Sequence, residues 1–254
     1  MGDRFSHLGL DDRERREAAH FSDLARIAYE RGIPRFSSFL DERERVIAET
    51  AADGVACRAY GGHENAERTV CGYAPSADDL FDAAYPTDAV TLRWRRQDSL
   101  SHRDILGALM ALQIKRETLG DILVGEGTAV IFALPTACEV IMRELTRAGN
   151  VGVSVLHERP DTLPQVRTEA LEGVAASLRL DCIVAMMTKG SRSDAAALIR
   201  AGKITCGGQI ITQGAFTVAE GMRISIRGTG KFVFRSVGAQ TRSGRYHIQY
   251  EKYI

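Results

Sequence analysis

The sequence predicts an α+β protein built from three successive regions. Apolar residues show mainly helical spacing over 1–87, short strands and helices take turns over 88–160, and short helices precede alternating strands over 178–254. The 254 residues are enough for two or three small domains, each with its own core. Residues 161–177 are predicted to be a linker, because prolines interrupt the pattern near its start.

The first region is predicted to be mainly helical. Apolar residues recur at helical spacing over 13–31, and Gly32 is a natural stop for that helix. Asp41 is a good N-cap for a second helix, because its carboxylate can accept hydrogen bonds from the first free backbone N–H groups. Two short strands are predicted over 55–60 and 69–73, on either side of a glycine-rich turn.

The second region shows the order strand, helix, strand, strand, helix, strand. Ser101 is the predicted cap of the first helix, and Gly125-Glu126-Gly127 is a hairpin signal between two apolar runs. Thr136 and Glu139 have the spacing of a capping box for the second helix, and valines alternate over 151–155 as a last strand. This order predicts a βαββαβ layer of the ferredoxin-like kind.

Charge is distributed very unevenly along a chain whose net charge is zero. Residues 178–254 contain twelve Lys/Arg against four Asp/Glu, a net charge of +8, so residues 1–177 carry −8. Such an asymmetry indicates a module that binds a polyanion, because an excess of positive charge attracts a negative partner. The alternative is a basic surface with no particular partner.

The sequence shows no motif of catalysis or cofactor binding. It contains no G-x-S-x-G, H-E-x-x-H, Walker A or dinucleotide-binding pattern, and His63-Glu64 has no second ligand at metal spacing. We therefore predict no enzyme activity, no cofactor and no metal. The five cysteines include no C-x-x-C pair, no apolar run could span a membrane, and no secretory signal is visible. We expect a cytoplasmic protein with no membrane partner.

A candidate phosphate site lies in the basic region. Ser191 is the predicted cap of a helix, and a helix N-terminus presents free N–H groups at its positive dipole end. Arg192 falls in the first turn of that helix, and Arg179 lies on the preceding helix. Because arginine can bind a phosphate with two N–H groups at once, this cluster suits an RNA backbone.

The same stretch resembles the S4 RNA-binding domain over roughly residues 178–240. The resemblance rests on Leu178-Arg179-Leu180-Asp181, on Ser191-Arg192-Ser193 with Ala195, and on Leu198-Ile199-Arg200-Ala201-Gly202-Lys203-Ile204. Two departures are visible, since Cys206-Gly207 stands where an Asn-Gly turn is usual and Met222 stands where the family prefers Asp. Both departures concern the strands more than the helical RNA face.

Nearly the whole chain resembles the YlmH-type S4-domain proteins of bacteria. The stretches that carry this resemblance are 39–44, 61–68, 101–110, 114–117 and 120–124. The resemblance implies an N-terminal domain, an RRM-like middle domain and a C-terminal S4 domain. It also implies a non-enzymatic factor that binds rRNA and peptidyl-tRNA on obstructed large ribosomal subunits, in ribosome-associated quality control. Away from the ribosome we expect a monomer.

Two sets of residues are predicted to contact RNA. The set in the basic region comprises Arg179, Lys189, Ser191, Arg192, Ser193, Arg200, Lys203, Arg223, Arg227 and Lys231. An additional set in the middle region comprises His102, Arg103, Lys115 and Arg116. Because the strands at 119–124 and 128–133 contain Phe132 as their one aromatic residue, we expect no base stacking of the RRM kind on this sheet.

Two other functions stay open at this point. One is an rRNA-modifying enzyme with an appended S4 domain, such as a pseudouridine synthase or a methyltransferase, and the other is an RNA-binding partner in cell division. An enzyme of either kind would need a catalytic Asp motif or a glycine-rich cofactor loop, and residues 1–177 show neither. A turnover assay on rRNA tests the first alternative, and co-sedimentation with large subunits tests the second.

Overall fold

Capped helices and antiparallel strands alternate along the chain, which confirms the predicted α+β class. The structure is a computed structural model that describes residues 4–253. The chain divides between Gln165 and Val166 into two units. Within residues 4–253, no helix is long and apolar enough to cross a membrane.

The first region packs two helices on a three-stranded antiparallel sheet. Its elements are α1 (Asp12–Arg31), β1 (Arg35–Leu40), α2 (Glu42–Thr50), β2 (Ala56–Tyr60) and β3 (Thr69–Ala74), and the strand order is β1-β3-β2. Gly32 ends α1 and Asp41 caps α2, as predicted. Gly32 is in the left-handed conformation, and the cap at Asp41 is a complete capping box. The sequence pattern does not indicate β1, whose partner β3 lies about 30 residues further along the chain.

The middle region has the predicted βαββαβ order. Its elements are β4 (Asp88–Arg93), α3 (His102–Ala111), β5 (Leu119–Val124), β6 (Thr128–Ala133), α4 (Pro135–Glu144), the short hairpin β7 (Arg147–Ala148) and β8 (Val151–Gly152), and β9 (Ser154–Leu156). The strand order is β5-β6-β4-β9, and neighbouring strands are antiparallel. Ser101 caps α3 as predicted, and Gly125–Gly127 forms the turn between β5 and β6.

Two local predictions for this region need correction. The capping box of Thr136 and Glu139 is wrong, because α4 begins at Pro135 and its N-cap, Leu134, makes no side-chain hydrogen bond. Proline suits the first helical position, since its φ is already helical and that position needs no N–H partner. The predicted last strand over 151–155 is divided between β8 and β9.

The middle sheet is buried on both faces. Ala129, Ile131 and Ala133 of β6 pack in the core beneath α3 and α4. Val130 and Phe132, which point to the opposite face, pack in a second cluster with residues of the first region. Five consecutive residues of β6 are therefore no more than 1% exposed. The sheet lies as a middle layer between helices on one side and β1 and β3 on the other.

The loop between β2 and β3 fastens the first region to β5. Asp121 on β5 accepts hydrogen bonds from the backbone N–H groups of Glu67 at 2.7 Å and Arg68 at 3.1 Å, and its Oδ2 lies 3.0 Å from His63 Nε2. Burial raises the pKa of Asp121, but the hydrogen bonds from His63 and the two N–H groups outweigh burial and leave this pKa lowered. Arg68 extends the contact by donating from Nε to the carbonyl of Leu119 at 2.9 Å.

The second unit packs two helices on one face of a six-stranded antiparallel sheet. Its elements are β10 (Thr168–Ala175), α5 (Leu180–Thr188), α6 (Arg192–Arg200), β11 (Ile204–Cys206), β12 (Gln209–Ile210), β13 (Arg223–Ile226), β14 (Gly230–Gln240) and β15 (Tyr246–Tyr253). The strand order is β10-β15-β14-β13-β11-β12. The range 161–177, predicted to be a linker, thus includes the strand β10, which pairs with β15 at the edge of this sheet.

Candidate nucleic-acid interface

Two of the predicted arginines converge on one buried carboxylate. Asp181 Oδ2 accepts hydrogen bonds from Arg179 Nη2 and from Arg192 Nη2, each at 2.9 Å, and Oδ1 accepts from Arg179 Nε at 3.2 Å. The carboxylate side chain is 11% exposed, whereas the side chains of Arg179 and Arg192 are 46% and 60% exposed. The two guanidinium groups are therefore held side by side and keep N–H groups that face solvent.

The start of α5 fixes the position of this carboxylate. The backbone N–H of Asp181 donates to the carbonyl of Gly214 at 3.2 Å, and that of Leu180 donates to the carbonyl of Phe216 at 2.8 Å. Hydrogen bonds from Arg179 and then Arg192 lower the pKa of Asp181 far below its ordinary value, despite the opposing effect of burial. Sequence reasoning included Asp181 in the motif but missed that it orients both arginines.

Ser191 caps α6 as predicted, but the cap is closed by an acidic residue. Ser191 Oγ accepts from the backbone N–H of Asp194 at 3.1 Å and donates to Asp194 Oδ2 at 2.6 Å. Ser193 Oγ lies 2.6 Å from Ser191 Oγ. Because this carboxylate already occupies the end of α6, the positive charge available here comes from the arginines rather than from free N–H groups of the helix.

The remaining basic residues of this set lie in different places. Lys189 ends α5 in the left-handed conformation and is exposed, and Arg200 is exposed in the last turn of α6. Lys203 lies beside Arg227, whose backbone N–H donates to the Lys203 carbonyl at 2.9 Å. Together these two residues line a shallow groove with Ile210.

Arg223 and Lys231 lie on the sheet face that points away from the helices. Their neighbours Ile224 and Phe232 pack in the core under α5 and α6, and side chains alternate along a strand. Lys231 is paired with Ser225 across β13 and β14, and its Nζ lies 5.0 Å from the Tyr253 ring centre. The structure therefore separates the predicted set into a helical side, around Asp181, and a sheet side.

The additional set in the middle region is also divided. His102 and Arg103 are exposed at the start of α3, and Lys115 is 77% exposed with its Nζ 3.9 Å from Glu117. Arg116 instead is partly buried and donates from Nη1 to the Leu119 carbonyl at 2.9 Å. Burial lowers the pKa of Arg116 to about 10. Its guanidinium is thus occupied inside the first unit.

Among the residues that the structure describes, no group of three or more His, Cys, Asp or Glu side chains could hold a metal ion. The five cysteines are free thiols, and all except Cys57 are buried.

Comparisons with known proteins agree with the architecture. The profile of the family described as "Putative RNA-binding domain in YlmH" matches residues 80–161, and the S4 domain profile matches residues 178–224. The chain is 29% identical to the "Ribosome-associated protein quality control protein P2" of Bacillus subtilis (strain 168), over 99% of both chains.

A solved structure shares the fold over part of the chain. The "Cell division protein ylmH from Streptococcus pneumoniae" superimposes with a TM-score of 0.51 at 16% identity, covering 59% of this chain and 93% of that one. The two profile matches and the similarity to the Bacillus subtilis protein over its full length agree with the resemblance to the YlmH-type S4-domain proteins.

Proposed function

We propose that this protein is a non-catalytic RNA-binding factor of the large ribosomal subunit. In this proposal it binds rRNA and peptidyl-tRNA in the cytoplasm and acts in ribosome-associated quality control. The single observation that carries the proposal is the pair of exposed guanidinium groups, Arg179 and Arg192, that the buried Asp181 carboxylate holds together. Planar guanidinium groups match the geometry of phosphate oxygens.

The charge distribution supports a polyanionic partner. Residues 178–254 carry +8 and the rest of the chain carries −8. At physiological salt, RNA repels the acidic part of the chain at distances up to a Debye length of about 8 Å. In this proposal the basic module therefore supplies most of the binding free energy. The name of the Bacillus subtilis relative, which describes a ribosome-associated protein, supports ribosomal RNA as the partner.

The two-sided arrangement of the basic residues supports two RNA partners. Arg179 and Arg192 belong to the helical side of the S4 domain, whereas Arg223 and Lys231 belong to the opposite face of its sheet. One straight RNA segment cannot lie against both sides of a sheet at once. Simultaneous contact with rRNA and with a bound tRNA would use both sides.

The proposal assigns no chemistry to the protein. The domain profiles and the full-length relative are named for RNA binding and for quality control. If the protein methylated rRNA, incubation of purified large subunits with the protein and a methyl donor would change the mass of rRNA fragments, and we expect no such change. Pseudouridine has the same mass as uridine, so its formation is tested by carbodiimide labelling of the same rRNA, and we expect no new labelled position.

The experiment that tests RNA binding compares arginines of the same unit. Arg179→Ala and Arg192→Ala are each expected to weaken binding to purified large subunits by about tenfold or more, the cost of about 1.5–3 kcal/mol for a lost charge-assisted hydrogen bond. Arg242→Ala, which removes the same charge from an exposed loop, is the matched control and should change affinity by less than about threefold. Equal affinities for all three variants, with circular dichroism unchanged, would refute the assignment.

A further inference from the structure

We infer that the loop between β4 and α3, together with the first turn of α3, forms a second contact for an RNA backbone, through Arg95 and Arg96 in the loop and Arg103 in the helix. This inference rests on the proposed function and adds a site outside the S4 domain. Arg103 belongs to the set of residues predicted from the sequence to contact RNA, whereas Arg95 and Arg96 do not.

Both faces of the middle sheet are covered, so RNA can contact the middle domain only at the edges of the sheet and at the ends of its strands. In RRM domains the exposed sheet face carries the aromatic residues on which bases stack. Here Val130 and Phe132 on that face are buried against Phe39 and Val70 of the first region. A nucleic acid can therefore reach this domain only at loops, helices and strand ends.

The loop after β4 is held in one shape by Trp94. The indole N–H of Trp94 donates to the carbonyl of Asp98 at 3.1 Å, and its backbone N–H donates to the carbonyl of Gly127 at 3.0 Å. The backbone N–H of Asp98 donates to the carbonyl of Arg95 at 2.9 Å and closes a tight turn. Arg95 and Arg96 lie exposed on that turn, so little freedom of the backbone is lost when they bind.

These arginines have no ion-pair partner, whereas ion pairs hold six other exposed arginines of the first unit, namely Arg13, Arg15, Arg26, Arg58, Arg93 and Arg143. The described part of the first unit has four further exposed arginines without an ion pair, but none of these is next to another unpaired arginine in the sequence: Arg16, Arg31, Arg147 and Arg159. Within residues 4–253, Arg95, Arg96 and Arg103 form neither an ion pair nor a hydrogen bond through their side chains. What distinguishes Arg95, Arg96 and Arg103 is that three unpaired guanidinium groups fall within nine residues, in a unit whose acidic residues outnumber its basic ones.

The carboxylates near the loop leave these charges available. Asp104 is engaged in the cap of α3, where its Oδ2 accepts from Ser101 Oγ at 2.6 Å and from the Ser101 backbone N–H at 2.9 Å. Asp98 is half-buried within the turn, and Glu126 lies exposed in the adjacent β5–β6 turn. A fourth arginine, Arg147, lies in the hairpin that packs beside α3 and donates to the carbonyl of Asn150 at 3.3 Å.

An RNA backbone fits this surface better than a protein partner does. Protein interfaces depend on a central apolar anchor that becomes fully buried. The one large apolar side chain of the loop, Trp94, is already half-buried and hydrogen-bonded. The groups left to contact a partner are guanidinium N–H donors, which match phosphate oxygens.

The test uses full-length protein in four forms. They are the natural chain, Arg95→Ala/Arg96→Ala, the control Arg15→Ala/Arg26→Ala, and Arg179→Ala. The control removes the same charge from two exposed arginines of α1 that have acidic partners. Affinity for purified large ribosomal subunits, and for protein-free rRNA extracted from them, is measured across a range of KCl concentrations.

The Arg95→Ala/Arg96→Ala variant is expected to bind both probes about tenfold or more weakly, and the slope of log affinity against log salt should become shallower by about 1–2, for two lost phosphate contacts. The control should change neither quantity appreciably. If the double variant behaves like the control while Arg179→Ala binds weakly, the inference fails and the proposed function stands. If Arg179→Ala also behaves like the control, the proposed function fails. A loss confined to whole subunits, with binding to protein-free rRNA unchanged, would assign the loop to a ribosomal protein and overturn the inference.

Discussion

At the scale of single residues, the negatively charged Asp181 orients two arginines of the basic surface. Its carboxylate adds repulsion toward RNA, yet it also fixes two guanidinium groups that would otherwise sample many rotamers. The gain from holding the guanidinium groups in place exceeds the repulsion, because the carboxylate is buried behind the arginines and they screen it from a ligand. The net effect of Asp181 on affinity is therefore opposite in sign to the effect of its charge.

Asp181→Asn is expected to weaken RNA binding. Although the variant gains one positive charge, it should bind RNA several-fold more weakly, because a neutral amide cannot hold both arginines as strongly. Glu169→Gln, which makes the same charge change on the exposed strand β10, should bind as well as the natural chain or slightly better. Fluorescence anisotropy with a labelled rRNA fragment measures both, and tighter binding by Asp181→Asn would contradict the argument.

The same variant should show a defined pH dependence of stability. Because the pKa of Asp181 is lower in the folded chain than its value of about 3.9 in an unfolded one, the ionised carboxylate stabilises the fold above that pH. That contribution is lost as the pH falls through the folded pKa. The difference in urea midpoint between the natural chain and Asp181→Asn should be constant from about pH 7 to 5 and should shrink below about pH 4.

At the scale of elements, three of the four predicted helix caps are confirmed, the exception being the capping box of Thr136 and Glu139, whereas long-range strand pairing was not predicted. The caps at Asp41, Ser101 and Ser191 are local, because each side chain bonds to a backbone N–H two or three residues away. The sequences of strands β1 and β10 lack a clear alternation of apolar and polar residues, and both strands pair with partners far along the chain. Their existence follows from pairing, which a single sequence does not display.

The candidate site divides in the same way. Arg179 and Arg192 could be chosen from a motif, but their common partner Asp181 could be recognised only once α5 and α6 were side by side. Arg116 looked available, yet the fold turns its guanidinium inward to the Leu119 carbonyl. Charge and spacing name candidates, while the direction of each side chain needs the packed structure.

The glycine-rich loop between β2 and β3 offers a test at this scale. A Cβ at Gly62 would lie 2.5 Å from Phe132 Cδ1, and the φ of Gly62 is +91°. Gly54 has a similar φ of +73° but open space around it. Gly54→Ala should therefore cost about 1 kcal/mol for backbone strain alone, and Gly62→Ala should cost about 1–3 kcal/mol more for overpacking. Urea unfolding measures the free energy of unfolding of both variants. An equal loss in the two would contradict the prediction, because it would mean that the loop shifts to accommodate the methyl group without cost.

At the scale of the whole molecule, the position of β10 decides where the S4 module begins. Residues 178–254 contain the sequence motif, but β10 pairs with β15 along its whole length from Thr168 to Ala175. Removal of β10 would leave β15 as a long exposed edge strand, which favours aggregation. The module that can be isolated therefore starts at residue 166, where the second unit begins.

Fragments of the chain test both the boundary and the division of roles. Residues 166–254 should be monomeric and should bind RNA with a salt slope near −4 if about five phosphates are contacted, whereas residues 178–254 should aggregate or melt at a lower temperature. Stable co-sedimentation with large subunits should need the full chain, since linked sites raise the effective concentration of the second contact. If residues 1–165 alone co-sediment as well as the full chain, the S4 module is not the anchor.

The burial of β6 on both faces sets a limit on how this protein can vary. A strand with one exposed face tolerates polar substitutions at every second position, and new binding residues arise there. Residues 129–133 offer no such position, because each is in contact with one of two hydrophobic clusters. Substitutions there disturb either the helical layer or the first region, so variation in RNA recognition by this domain is confined to its loops and edges.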